Sequence, residues 1–189
     1  LGTTIVDMYV KCGVLAKAQE LFDELKLKDV ICWNALMAGY GQLGQAENVL
    51  NLFNRMKVEG TIPNAATFLV ILNACSLAGL AEEGQKMFDD MYNVYHLTPT
   101  LEHYNCMVDL FGRAGCFVKA VLMIESVPCS DRLPLWSTLL GACCKWVNVD
   151  LGRWAFKESI KLDEKCATAY ITMQNIYLAS NMEREADII

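Results

Sequence analysis

Apolar residues recur along this chain every three to four positions, with polar residues between them, in blocks separated by short turn-like stretches. That period predicts amphipathic helices, and no stretch alternates with the period of two that a half-buried strand requires. Four stretches share one plan: "MYVKCGVLAKAQ" (8–19), "GYGQLGQAENVL" (39–50), "ACSLAGLAEEGQ" (74–85) and "DLFGRAGCFVKA" (109–120). Each reads as a helix that ends, turns on a glycine and starts again.

The recurrence keeps register. Gly13, Gly44, Gly79 and Gly115 are 31, 35 and 36 residues apart, and Trp33, Phe68 and Tyr104 stand 11 residues before the last three. The same interval links Trp136 to Val147 and Tyr170 to Asn181. A fixed period of this length is the mark of a repeat architecture. In the helix after each turn a small residue precedes a large one by four: Ala18 and Phe22, Val49 and Phe53, Gly84 and Phe88, Ala120 and Ile124, Gly152 and Phe156. Residues four apart share a helix face, so the small one admits a neighbouring helix and the large one fills the groove beside it.

The glycines are expected to end helices in the left-handed conformation, a place Asn181 also fills. Val147 is a poor fit there, and Asn148 is expected to share that turn. Six hairpins follow, at 1–29, 30–64, 65–100, 101–132 and 133–167, with a sixth cut short at Ile189. The fold class is all-α, a right-handed α-solenoid of stacked helix-turn-helix hairpins in which neighbours bury one another's apolar faces. The Met and aromatic stripes are core.

Composition narrows the chemistry. With 189 residues, 54% of them hydrophobic, the chain can bury a substantial core. The apolar run from Ala65 to Ala81 is too short and too polar for a membrane span, and none is expected. The nine cysteines include no CxxC pair and have only His96 and His103 as possible metal co-ligands, so they read as reduced, packed thiols and no cofactor is expected. There is no H-x-E, H-E-x-x-H, phosphate-loop or G-x-S-x-G pattern, so catalysis is not expected within the chain. The chain opens on Leu1 and is read as a piece of a longer protein, its targeting segment elsewhere.

The stretches "DMYVKCG", "VICWNALMAGYGQLG", "LNACSLAGLAEEG", "EHYNCMVDLFGRAG" and "LWSTLLGACCKWVNVDLG" resemble successive motifs of the pentatricopeptide repeat (PPR) family. The unequal spacing is similar to the plant PLS class, which mixes short, standard and long repeats. The resemblance implies PPR repeats over 1–132 (1–29 short, 30–64 standard, 65–100 long, 101–132 short). The segment 133–189 then resembles the E region, built of TPR-like hairpins with the second truncated.

In that family each hairpin reads one base of single-stranded RNA through the residue after the aromatic and the last residue of the repeat. Carried over, the resemblance implies Thr3 with Asp29 as a guanine reader. It implies Asn34 with Asn64 as a pyrimidine reader, and Ile31 as an apolar wedge against the base. The third repeat offers Leu69 with Thr100, suited to spacing the array rather than reading. The fourth offers Asn105 with Arg132, where an aspartate or asparagine is the expected last residue, and Glu102 where the wedge belongs.

The function implied is recognition of single-stranded RNA for organellar C-to-U editing. The implied partners are editing-factor proteins on the long repeat 65–100 and a deaminase-bearing protein or domain at the E region. The implied location is mitochondrion or chloroplast, the mitochondrion favoured. The alternative is a TPR-like protein-interaction solenoid without direct RNA reading, and a net charge of -6 leans that way because it opposes attraction to phosphates. Base stacking, worth roughly 1–3 kcal/mol per base, is nonetheless open to an acidic chain.

Overall fold

The computed structural model describes residues 2–128 and 132–189; Leu1, Cys129, Ser130 and Asp131 lie outside the described residues. Twelve helices follow one another among the described residues, and no strand is present there. In chain order they are α1 (Gly2–Lys11), α2 (Leu15–Glu24), α3 (Val30–Gln42), α4 (Ala46–Val58), α5 (Ala65–Ala78), α6 (Ala81–Asn93), α7 (Leu101–Arg113) and α8 (Phe117–Ser126). They continue as α9 (Leu133–Trp146), α10 (Val149–Leu162), α11 (Ala167–Ala179) and α12 (Glu183–Ile188). The fold is all-α, an α-solenoid of stacked hairpins. Two compact units divide it, residues 1–103 and 104–189, with α7 beginning in the first and ending in the second.

One turn is built six times. The left-handed residue is Gly13, Gly44, Gly79, Gly115, Val147 or Asn181, with φ between 52° and 75°. Its N–H and that of the next residue close back onto the preceding helix. At Gly79 the bonds run from Gly79 N–H to Ser76 O (3.2 Å) and from Leu80 N–H to Cys75 O (2.9 Å), and at Gly115 to Gly112 O (3.1 Å) and from Cys116 to Phe111 O (2.8 Å). These are the paired bonds that satisfy the orphan carbonyls at a helix end.

Val147 departs from expectation. It adopts the left-handed conformation itself (φ 52°, ψ 41°), and Asn148, at φ -90°, caps α10 by accepting Leu151 N–H at 3.2 Å. The turn geometry common to the six sites outweighs the roughly 1–2 kcal/mol that a left-handed non-glycine residue costs.

Within the first unit, α1 packs on α3 and α3 on α5, while α2 lies against α3 and α4 against α5. In the second, α9 packs on α10 and on α11. The two sequence registers meet at these joints. Phe22 stands edge-on to Trp33 (4.7 Å between centroids), Phe53 to Phe68 (5.7 Å) and Phe156 to Tyr170 (5.1 Å), each joining a second helix to the first helix of the next hairpin. Edge-to-face rings add about 0.5–1.5 kcal/mol to the area they bury. Phe22, Trp33 and Phe68 are fully buried, whereas Phe88 and Phe156 are half-buried.

Among the described cysteines, Cys32, Cys75, Cys106 and Cys143 are buried, Cys144 and Cys166 half-buried, Cys12 and Cys116 exposed. Burial pushes the Cys75 thiol up to about 11 and Cys143 up to about 12, so both pack as neutral side chains. No described helix is long and apolar enough to cross a membrane.

Candidate nucleic-acid interface

The end of one hairpin and the start of the next are held together by helix N-caps. Asp29 takes an extended conformation ahead of α3, and its Oδ1 accepts Cys32 N–H at 2.8 Å. Asn64 does the same ahead of α5, its Oδ1 accepting Thr67 N–H at 3.0 Å while Thr67 Oγ1 accepts Asn64 N–H at 3.1 Å. This reciprocal pair is a capping box, which satisfies two orphan donors at once.

Each cap residue meets a side chain from the first helix of the preceding hairpin. Asn34 Nδ2, on α3, donates to Asn64 Oδ1 at 3.3 Å. Thr3 Oγ1, on α1, donates to the Asp29 carboxylate at 3.4 and 3.5 Å, a looser contact. Thr3 and Asn34 are half-buried, and Asp29 and Asn64 are exposed. The two constellations are alike in position and opposite in polarity. Asp29 brings two carboxylate oxygens as acceptors; Asn64 spends its oxygen on the cap and keeps its Nδ2 donors for another partner.

Under each pair lies the third residue of the following helix, which the sequence reading did not single out. Cys32 is buried, and burial together with the Asp29 charge pushes its thiol up to about 11, a hydrogen bond with Thr3 acting the other way. Thr67 is fully buried and donates its hydroxyl proton to Asn34 Oδ1 at 2.8 Å. The signal was present as Asn64-x-x-Thr67, the spacing of a capping box.

The third hairpin differs. Leu69 is half-buried, and Thr100 turns its hydroxyl to His103 Nδ1 (2.7 Å), which also accepts Thr100 N–H at 3.2 Å. His103 Nε2 lies 2.9 Å from Ala65 O, which can only accept, so Nε2 carries a proton and the ring joins α7 to the start of α5. In the second unit Asn105 Oδ1 accepts the Thr138 hydroxyl at 2.6 Å. Arg132 sends its Nη2 to the carbonyls of Val127 (2.8 Å) and Glu125 (3.4 Å) at the end of α8. Ile31, on α3 three residues before Asn34 and so on the same face, is 64% exposed.

Models of the PPR repeat family match residues 28–77, and models of the single PPR repeat match 3–30, 66–93 and 102–129. This chain belongs to the PPR repeat family. A pentatricopeptide repeat-containing protein of Arabidopsis thaliana is 41% identical over 181 residues, covering 96% of this chain and 30% of the relative. A second, named as mitochondrial, is 42% identical over 180 residues, covering 95% and 29%. The chain thus spans about 30% of the length of the curated PPR relatives it matches.

Among solved structures, the pentatricopeptide repeat protein PPR10 from maize superposes with a TM-score of 0.81 at 22% identity over 98% of this chain and 28% of PPR10. PPR10 in complex with an 18-nt psaJ RNA element gives 0.66 at 22% identity over 99% and 27%. The PPR domain of Arabidopsis protein-only RNase P 1, in complex with tRNA, gives 0.68 at 20% identity over 98% and 96%. These likenesses establish the PPR fold.

A groove in the C-terminal unit is of another kind. Phe117, Val118, Val121 and Leu122 of α8 and Leu151 and Trp154 of α10 line an apolar groove of about 310 Å³. Among the described residues no group of three or more His, Cys, Asp or Glu is arranged to hold a metal ion.

Proposed function

We propose that this PPR array binds single-stranded RNA and reads bases with Thr3–Asp29 and Asn34–Asn64. The observation that carries the reading is the opposite polarity of two pairs built on the same cap. An exposed carboxylate at Asp29 accepts from the ring N–H and exocyclic amine of guanine. The Nδ2 donors of Asn64 and Asn34 suit a pyrimidine edge, cytosine best, because its ring nitrogen and carbonyl both accept. Ile31 supplies an exposed apolar side chain beside the second pair for the base face. Leu69 with Thr100, and Asn105 with Arg132, serve as spacing positions: Leu69 has no polar group for a base edge, Thr100 turns to His103, and Arg132 reaches the end of α8 instead of lending Asn105 a partner amide or carboxylate.

The wider role proposed is targeting of organellar C-to-U editing by a PLS-class protein. Its repeats occupy 1–132 and an E region 133–189; editing factors contact 65–100, and the E region connects to a deaminase that supplies the chemistry. Two of the relatives are named mitochondrial, which supports an organellar setting. The apolar groove between α8 and α10 favours a protein contact in the C-terminal unit, as the protein-interaction reading requires.

Fluorescence anisotropy at low salt, with short RNAs carrying each base in turn beside a guanine, tests the RNA reading. The expected result is a pyrimidine preference of about tenfold, roughly 1.4 kcal/mol, that moves toward purine in Asn34→Thr. Equal binding to all bases by both proteins contradicts it.

A further inference from the structure

The buried hydroxyl of Thr67 holds in place one of the two ways in which the reading amide of Asn34 can stand. An asparagine amide has a donor end and an acceptor end of nearly equal shape, and its terminal torsion is broad and two-fold. Asn34 turned the other way would show a base the reverse pattern.

The contacts settle which way it stands: turned over, Asn34 would set its oxygen 3.3 Å from Asn64 Oδ1, itself an acceptor committed to the cap, so Nδ2 lies there and Oδ1 lies over the Thr67 hydroxyl. Thr67 has one hydroxyl proton and two oxygens in reach, Asn34 Oδ1 at 2.8 Å and Asn64 Oδ1 at 3.0 Å. Asn64 Oδ1 already accepts Thr67 N–H at 3.0 Å and Asn34 Nδ2 at 3.3 Å, which occupies both its lone pairs. The proton therefore goes to Asn34 Oδ1. Thr67 in turn is held by accepting Asn64 N–H at 3.1 Å, so its own rotor is fixed by the backbone. Asn34 is left with its oxygen tied inward and one Nδ2 hydrogen uncommitted.

The corresponding residue in the first hairpin pairing is Cys32, and the difference is consistent. A carboxylate presents two equivalent acceptors whichever way it turns, so Asp29 needs no orienting hydroxyl and a buried thiol suffices. In the third hairpin His103 takes up Thr100 itself, and the reading position holds Leu69, which has no amide to orient.

We infer that Thr67 is a specificity-determining positioning residue: by donating to Asn34 Oδ1 it holds the Asn34 amide in the orientation that Asn64 selects, and so holds the base preference of the second hairpin. This rests on the base-reading proposal above. The variants are Thr67→Val, which keeps shape and removes the hydroxyl, and Thr67→Ser, which keeps it. Both are examined in the full chain, by RNA anisotropy and, without RNA, by the side-chain amide signals of Asn34 in a proton–nitrogen NMR spectrum.

The expected result is that wild type and Thr67→Ser prefer cytosine over purines by about tenfold, and Thr67→Val by less than about twofold, with its total RNA affinity held nearer to wild type. The wild-type Asn34 amide should also show a hydrogen-bonded shift that the valine variant loses. A valine variant that keeps both the discrimination and the Asn34 signal overturns the role of Thr67 while leaving base reading intact. Absence of any base preference in the wild type, with the Asn34 signal as expected, defeats base reading and the specificity role with it. If the valine variant does not fold, Thr67→Ser and the wild-type Asn34 signal decide: a serine variant without preference, or an Asn34 amide lacking the bonded shift, overturns the proposal.

Discussion

Asn34 and Asn64, thirty residues apart in the chain, join the first helix of one hairpin to the cap of the next through a single Nδ2–H···Oδ1 bond of 3.3 Å. The cap selects this polarity, because Asn64 must offer its oxygen to Thr67 N–H, and the Thr67 hydroxyl holds it from the other side. Asn64→Asp should therefore preserve the cap and replace outward donors with an acceptor. We expect little change in stability and a shift of base preference from cytosine to uracil, whose ring N–H donates, by about tenfold on the 1.4 kcal/mol scale. RNA anisotropy checks the shift and a thermal melt checks the stability.

His103 is a buried link between α5 and α7, satisfied on both nitrogens. His103→Ala leaves Ala65 O and Thr100 N–H short of partners, at about 1–3 kcal/mol for a buried group left unpaired. Urea denaturation should show a loss of that size, and His103→Gln should recover part of it by reaching one of the two partners.

Most of the fold was legible, because a hairpin repeat must reproduce the same turn and the same joint. The glycine register marks the turns, and the meeting of Phe22 with Trp33 and of Phe53 with Phe68 joins the two registers read from sequence. Val147 was harder to read, since its left-handed conformation is imposed by the helices on either side and not by its own preference. At the site, the sequence named Thr3, Asp29, Asn34 and Asn64, and the structure brings the members of each pair together. It did not name Cys32, Thr67 or His103. Cys32 looks like core in an apolar pattern, and the part played by Thr67 depends on a lone-pair count that only coordinates supply.

Val147 carries strain that an asparagine would relieve, as Asn181 does in the last hairpin turn. Val147→Asn should stabilise the chain by about 0.5–1 kcal/mol, part of the roughly 1–2 kcal/mol left-handed cost being offset by lost apolar contact. A rise in the denaturant midpoint at unchanged slope is the expected observation.

Arg55 ties α4 to α2 by donating to Asp23 (2.6 Å), and it also donates to Glu59 at the end of its own helix (2.7 Å), with its guanidinium over Phe22 and Trp33. Burial pushes both carboxyls up, but hydrogen bonds from Gln19 and Arg55 hold Asp23 below its ordinary 3.8, and those from Arg55 and Lys28 hold Glu59 below 4.5. Carboxyls lowered in the folded state contribute stability above their unfolded values and lose it as pH falls through the folded ones. Between about pH 5 and pH 3, wild type should lose stability more steeply than Arg55→Gln. Because the groups are partly exposed, the difference should also shrink in high salt.

The measurement that bears most directly on the central claim is a proton–nitrogen NMR titration of the side-chain amides with short cytosine-containing and adenine-only RNAs. If the Asn34–Asn64 pair reads a base, their Nδ2 signals shift on adding the cytosine RNA and stay in place with the adenine RNA. Unmoved Asn34 and Asn64 signals in a complex that demonstrably forms would contradict base reading by this pair.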